Sequence, residues 1–368
     1  MKKAIPFLLI LFFFTNLKAQ QDTITDEFSS NIITKQSSKG EVGSFGKRLS
    51  ALTSFVSLNG YATNEFLYFE DGTNTFSNHY FNMLASAEIS ERIFAEIQME
   101  YEYGGSQVGA RYAQIDYKFN DLFVIRSGKF LVPAGEYNEY LYPEYLSKTT
   151  RRAFVNEEII PVSWGEVGVQ LRGQLKLRGD SGLFRPFYSL YVVNGLKASG
   201  NNSNIRQMRE NALDTLSGNL AYGGNIGTEI GKYFNIQFNY YTGDYNPAGD
   251  AELTIYGTSL GFDNNKLSIY GAYHAADQEY EVDGQMNKWN KYGFYGLIAY
   301  KYKNIEPLFR YDRIRLDGLN LNDKDRMTFG LNYHFYENCV LKVNYEVVKN
   351  QGIDISDNLF SVQIAVGF

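Results

Sequence analysis

The stretch IFAEIQMEYEY, residues 93–103, places an apolar or aromatic side chain at every second position. Ile93, Ala95, Ile97, Met99, Tyr101 and Tyr103 alternate with Glu96, Gln98, Glu100 and Glu102, and only Phe94 interrupts the polar set. Side chains of a strand alternate with period two, whereas a helix, turning about 100° per residue, would scatter these apolar positions around its axis. The pattern predicts a strand with one apolar and one acidic face. In a soluble sheet the acidic face meets bulk water. In a membrane barrel the apolar face meets lipid and the acids line the lumen.

The same alternation recurs along the chain. Sixteen segments carry it: 55–69, 80–90, 93–103, 109–119, 122–132, 166–175, 185–194, 220–230, 233–242, 253–262, 267–276, 291–302, 305–314, 327–335, 340–348 and 359–368. Phe234, Ile236, Phe238 and Tyr240 share one face against Asn235, Gln237 and Asn239; Phe329, Leu331, Tyr333 and Phe335 share one against Gly330, Asn332 and His334. Connections alternate too. Tight turns at 90–91, 120–121, 231–232, 263–265, 303–304 and 336–338, with a longer one at 176–182, trade places with mostly long polar segments at 70–78, 133–164, 195–219, 244–252, 277–288, 316–325 and 349–358. Short turns at one end and long loops at the other are the signature of a transmembrane antiparallel β-barrel, with the tight turns in the periplasm and the long loops outside. Most segments are close to the roughly 9–11 residues that a tilted strand needs to cross a bilayer. The expected fold is an all-β barrel of 16 strands over 53–368.

The ends of the chain agree with an outer-membrane address. MKKAIPFLLILFFFTNLKAQ has a basic start at Lys2 and Lys3, an apolar run from Ala4 to Phe14 and a small residue at Ala19. That is the plan of a secretory signal peptide, 1–19, cleaved near Ala19. Residues 20–52 are polar without a clear period and read as an N-terminal periplasmic segment. At the other end, Phe360, Val362, Ile364, Val366 and Phe368 fall on one face of FSVQIAVGF. A terminal Phe368 on such a strand looks like the signal that barrel-assembly machinery recognises.

Composition narrows the function. Tyr and Phe number 30 and 27, which suits a barrel with aromatic belts. The formal charge is −6, and the chain without Lys2, Lys3 and Lys18 is more acidic still, so no basic nucleic-acid surface is indicated. Cys339 is the only cysteine, which excludes an intramolecular disulfide. No cofactor motif or metal-ligand spacing stands out. With about sixteen strands a barrel leaves an aqueous channel. Parity places Glu96, Glu100, Glu102, Asp116, Glu229, Asp312 and Glu346 in the lumen with Lys118, Arg172, Lys301, Arg310 and Lys342. This mixture of signs predicts a general or weakly selective pore for ions and small polar solutes.

Segment 133–164 is longer than ordinary loops. It holds Tyr137, Tyr140, Tyr142 and Tyr145, the bases Lys148, Arg151 and Arg152, and five glutamates, Glu136, Glu139, Glu144, Glu157 and Glu158. It is expected to fold into the lumen and narrow it, with tyrosines for sugars and arginines for anions. Together with Lys129, the residues Tyr137, Tyr140, Lys148, Arg151 and Arg152 form the predicted constriction.

GKFLVPAGEYNE, residues 128–139, followed by Trp164-Gly165, VGVQ at 167–170, Asn194-Gly195 and FRYD at 309–312, resembles the phosphate-selective porin O/P-like family of outer-membrane porins. The resemblance implies a sixteen-stranded barrel, often a homotrimer, whose third long loop folds inside and through which ions and small polar solutes diffuse. This chain departs from that family's dense lines of pore arginines and lysines, and it carries three glutamates on its third predicted strand. Two rival readings have different signatures. A barrel enzyme needs a nucleophile or a paired acid beside a histidine, and His79, His274 and His334 have none at a telling spacing. A structural or adhesin barrel needs larger loops and a plugged lumen.

Overall fold

The computed structural model describes residues 56–175, 184–198, 204–211, 219–282, 285–316, 323–350 and 357–368. The expected signal peptide, its cleavage site and the N-terminal segment lie outside these. Seventeen strands are present among the described residues: β1 Val56–Phe69, β2 Asn74–Ser77, β3 Tyr80–Ser90, β4 Ile93–Glu102, β5 Gln107–Asn120, β6 Phe123–Leu131, β7 Gly165–Gln174, β8 Phe184–Val193 and β9 Ala221–Ile230 in the first half. The second half adds β10 Phe234–Asp244, β11 Glu252–Asp263, β12 Leu267–Val282, β13 Gln285–Tyr300, β14 Ile305–Leu316, β15 Lys324–Tyr336, β16 Cys339–Asn350 and β17 Leu359–Gly367. From β3 onward each strand pairs antiparallel with the next, and β1 pairs with both β17 and β3. The sheet is a closed antiparallel barrel of sixteen staves. The additional strand, β2, pairs with β1 through Glu65↔Ser77 to Tyr68↔Asn74 and prolongs the line of β3 beyond a break at Asn78 and His79.

Closure satisfies the backbone groups that an open edge would leave facing lipid. Nine residue pairs, Tyr61↔Gly367 to Phe69↔Leu359, zip the last strand to the first. At the lower end of the seam Gly60 and Phe368 exchange both backbone hydrogen bonds, at 2.7 and 2.8 Å. Gly60 is needed there: a Cβ would stand 2.6 Å from the Asn82 carbonyl and 2.6 Å from the Phe368 ring. The ring of Phe368 is 58% exposed on the outer face and lies 6.1 Å from Phe81.

Burial is inverted relative to a soluble protein. Val169, Phe238, Phe329, Leu331 and Ile364 are exposed on the outside, whereas Asn82, Gln98, Gln237, Lys342 and Asn344 are buried inside. Ile97 is exposed and Gln98 and Glu100 are buried, so the acidic face of 93–103 is the inner one. No helix among the described residues is long and apolar enough to cross a membrane.

Three boundaries differ from expectation. Tyr103 leaves the strand: it takes a positive φ of 51° in a 3-10 turn, Tyr103–Gly105, and stacks on His79 at 5.1 Å. Segment 277–288, read as a loop, is instead mostly hairpin, because β12 and β13 stay paired as far as Val282↔Gln285. Both faces of this extension meet water, so the alternation that marks a strand fades there while the ladder persists. Polar pairs such as Asp277–Lys288 at 3.3 Å, and Tyr280 against Trp289, take its place. The third change is a bulge in β5. Gln98 pairs with Tyr112 and Met99 with Ala110, leaving Arg111 as the extra residue.

The closing seam gives a direct test. Gly60→Val should cost about 1–3 kcal/mol through overpacking against Phe368 and Asn82. Urea-dependent refolding, read by the heat-modifiable shift in gel mobility, should show the loss; unchanged stability would contradict the packing described.

Candidate functional site

Segment 133–164 runs through the barrel interior, held at both ends and along its length. Asn138 ties its two ends together. Its Nδ2 donates to the carbonyls of Val132 at 2.7 Å and Trp164 at 3.1 Å, and its Oδ1 accepts from the Trp164 amide at 2.8 Å. Trp164 is fully buried, packs edge-on to Tyr241 at 4.9 Å and donates its indole N–H to Glu166 at 2.8 Å. The second Glu166 oxygen accepts from the Gly195 amide at 2.8 Å, which binds the start of the next long loop to the same carboxylate. Around this point Phe130, Val155, Ile160, Val193, Leu253 and Ile255 form an apolar core inside the wall. Gly135, at φ 92°, sits beside the buried His274, whose ring would lie 3.1 Å from a Cβ.

The middle of the segment bonds to inward side chains of strand after strand. The Glu136 amide donates to Ser259 at 3.1 Å, and Tyr142 donates to Gln98. Lys342 donates to the Glu144 carbonyl, and Lys148 pairs with Glu306 at 2.8 Å. The Thr150 amide donates to Asn344 at 2.7 Å. Farther on, Arg310 donates to Thr149 Oγ1 and to the Arg151 carbonyl, both at 2.7 Å, and Arg326 donates to the Arg152 carbonyl. The Phe154 amide donates to Asp312 at 3.0 Å. Arg310, Asp312, Arg326 and Glu346 are all nearly fully buried and form one ion-pair cluster, with Asp312 between the two guanidiniums at 3.0 Å from each. A short helix, α1 Val155–Glu158, follows, and a second, α2 Ile205–Asn211, belongs to the next long loop. The carbonyl of Val162 accepts from Arg209 of α2 at 2.9 Å.

The predicted site residues separate accordingly. Tyr140, Arg151 and Arg172 line open recesses, and Glu96 accepts from Tyr112 and Gln114, both at 3.2 Å. Tyr137 is half-buried with its hydroxyl toward Ser147. Arg152 is buried, donating to the Val162 carbonyl and the Tyr80 hydroxyl, both at 2.8 Å. Lys129 stays on the wall, donating to the Ala110 carbonyl at 2.7 Å, in a recess with Glu100, Glu102 and Arg111. Arg310 and Asp312 anchor the loop rather than bordering open water.

Parity reading missed Arg111, Arg126 and Arg326. Arg111 pairs with both Glu100 and Glu102, and Arg126 grips Asp116 with two bonds of 2.7 and 2.8 Å. The bulge explains Arg111, since an extra residue sends two neighbours to one face and no strict alternation foretells it. Arg126 was legible, because Phe123 and Ile125 lie on the exposed face and Arg126 has the opposite parity.

Open space remains on both sides of the loop. An outer funnel of about 710 Å³ runs down from Phe76 and Tyr103 to Glu65, Glu144 and Arg152. Two inner recesses, of about 330 and 290 Å³, share Glu139, Tyr140 and Arg172. Burial lifts the Glu136 carboxyl to about 7, with the charges of Glu139 and Asp263 adding to the effect. Burial also lifts Glu139 to about 7, against the pull of Arg172 and Arg126. Among the described residues no group of His, Cys, Asp or Glu could hold a metal ion.

A closed sixteen-stave barrel with an apolar exterior, a charged interior and a long loop lodged within defines a porin-like transmembrane barrel. Solved structures share this fold. An anion-selective porin from Comamonas acidovorans matches with a TM-score of 0.60 at 10% identity, over 85% of this chain and 99% of that one. The trimer form of OmpT, an outer membrane protein of Vibrio cholerae, matches with a TM-score of 0.57 at 11% identity, over 85% and 99%. No family model matches the chain. An uncharacterised protein of Aquifex aeolicus is 30% identical over 141 residues, 36% of this chain and only 30% of that relative's length.

The anchoring cluster is testable against an exposed pair. Asp312→Ala leaves two buried guanidiniums with Glu346 as their one remaining carboxylate and should cost about 3–5 kcal/mol. Arg313→Ala removes a rim pair with Asp325 in which the arginine side chain is 37% exposed, and should change stability by no more than about 1 kcal/mol. Urea unfolding ranks the two, and limited proteolysis should cut within 133–164 faster in the Asp312 variant.

Proposed function

We propose that this protein is an outer-membrane porin through which ions and small polar solutes diffuse passively, with segment 133–164 narrowing the passage. The observation that carries this reading is a polar lumen holding open chambers on both sides of an internal loop. In this reading the signal peptide is removed near Ala19, Phe368 engages the assembly machinery, and the barrel works in the outer membrane as a homotrimer. The trimer is supported by the family resemblance and by the trimeric state of the Vibrio cholerae neighbour. The reading assigns transport, with no catalytic step.

Phosphate selectivity is not part of the proposal. A phosphate path needs free guanidiniums, whereas Arg111, Arg126, Arg310 and Arg326 are each held by a carboxylate. Arg151 and Arg172 line open space, and the pore is expected to select weakly. The two neighbouring loop arginines then have different roles. Both border the outer funnel, but Arg152 spends its hydrogen bonds on Val162 and Tyr80 at the funnel floor.

Purified protein in planar bilayers should give stepwise conductance, and a folded but silent barrel would refute the pore. Arg151→Ala should move the reversal potential in a salt gradient toward cations, by about twofold in permeability ratio, because a funnel charge acts on ion concentration at the mouth. Arg152→Ala should instead make the current noisy and the loop susceptible to protease. Equal effects of both substitutions on selectivity would count against this division.

A further inference from the structure

Charges along the wall near the inner recesses cancel in pairs. Asp116 takes Arg126 at 2.7 Å, Asp121 takes Lys118 at 2.7 Å, and Glu229 takes Arg185 at 2.7 Å. Three groups are left out of these pairs: Glu96 on the wall, which accepts only from Tyr112 and Gln114, and two opposite charges that face each other across the recesses. Arg172 on β7 has no carboxylate within ion-pair distance among the described residues, and Glu139 on the loop has no cation within it. Glu139 receives long hydrogen bonds from the side-chain amides of Asn225 at 3.4 Å and Gln237 at 3.3 Å. Both residues line both inner recesses, with the half-exposed Tyr140 between them. The carboxamide oxygen of Gln170, on a side chain almost fully buried, has no partner and borders the larger recess.

We propose that this chamber binds small zwitterionic solutes, free amino acids or short peptides, taking the solute carboxylate on Arg172 and its ammonium on Glu139. The tyrosines and Gln170 supply an apolar face and a further acceptor. An anion gains Arg172 but meets Glu139, and a cation gains Glu139 but meets Arg172. A solute carrying both charges compensates both groups at once. A neutral sugar would fill the space and leave both charges uncompensated. The volumes suit one small solute rather than a polymer.

The proposal adds a pH signature. Groups facing Glu139 are Arg126, Arg172, Lys118, Asp121, Glu96, Glu229, Gln237, Tyr112 and Tyr191 of the wall, and Glu136, Tyr140 and Tyr142 on its own loop. Because burial holds its carboxyl near 7, it loses its charge as pH falls from 8 to 6. Zwitterion affinity should fall over that interval, whereas a site built on Arg172 alone would hold anions better as Glu139 is neutralised.

The inference rests on the lumen being a solute path, and its test separates the two. Calorimetric titration of the detergent-folded, full barrel reads binding without a membrane, while conduction is read in bilayers. Four probes share size or ring: L-phenylalanine, 3-phenylpropionate, 2-phenylethylamine and D-glucose. Phenylalanine should bind about tenfold or more tighter than the other three. Arg172→Gln and Glu139→Gln should each weaken it about tenfold and abolish the preference, with the heat-modifiable gel shift confirming that both variants are folded. Equal binding of phenylpropionate, preferred binding of glucose, phenylalanine binding indifferent to both substitutions, or no binding of phenylalanine would each overturn the proposal.

Discussion

Lipid offers no hydrogen bonds, so every backbone amide and carbonyl at membrane depth has to find its partner within the sheet. The rest of the structure follows from that constraint. It forces the last strand back onto the first, and the seam between β17 and β1 carries nine residue pairs and the reciprocal bonds of Gly60 and Phe368. A side chain at Gly60 would collide with the ring of Phe368, so the glycine and the terminal aromatic are one device seen from two strands. Period two then fixes everything inside. Each apolar residue given to lipid hands its neighbour to the lumen, and a slip by one residue would exchange them all.

The inner face inherits a problem from this division. Side chains such as Arg310, Asp312, Lys342 and Asn344 are polar, crowded and out of bulk water, and buried polar groups are costly unless paired. Segment 133–164 answers it with backbone. Its carbonyls at Glu144, Arg151 and Arg152 accept from Lys342, Arg310 and Arg326, and its amides at Thr150 and Phe154 donate to Asn344 and Asp312. Wall and loop therefore satisfy each other, and neither is complete alone. Several residues of the short motifs at 128–139, 164–165, 194–195 and 309–312 fall at these joints: Asn138 closes the loop's ends, Trp164 seals its exit, Gly195 meets Glu166, and FRYD supplies Arg310 and Asp312. These positions describe how an internal loop is held and carry no information about a ligand.

The fold was legible in the sequence because alternation is a direct image of a wall between two solvents. Sixteen staves, the side of each turn and the inner face of 93–103 all follow from it. The site was legible only in part, for reasons that differ by residue. Arg111 was hidden by a bulge, where parity fails. The hairpin beyond Ala276 was hidden because water on both faces erases the contrast. Arg151 and Arg152 look alike as letters and both border the funnel, yet only Arg152 is tied down by its guanidinium, to Tyr80 and Val162. Adjacent residues on an irregular segment have no period to sort them. Lys129 was grouped with the loop by proximity in sequence, while its ammonium is held by a carbonyl of β5.

Pairing also decides which charges are left uncompensated in the lumen. The count of lumen acids and bases is a poor guide to selectivity here, because Glu100, Glu102, Asp116 and Asp312 are each cancelled by an arginine at contact distance. A cancelled pair projects a short-range dipole, which falls off faster than a charge and is screened within about 8–10 Å at physiological salt. The charges left outside such pairs project farther: Arg151, Glu157 and Glu158 around the funnel, and Arg172, Glu96 and Glu139 around the inner recesses. They are of both signs and lie on opposite sides of the loop, so the position of the unpaired residues carries more information than a count of charges.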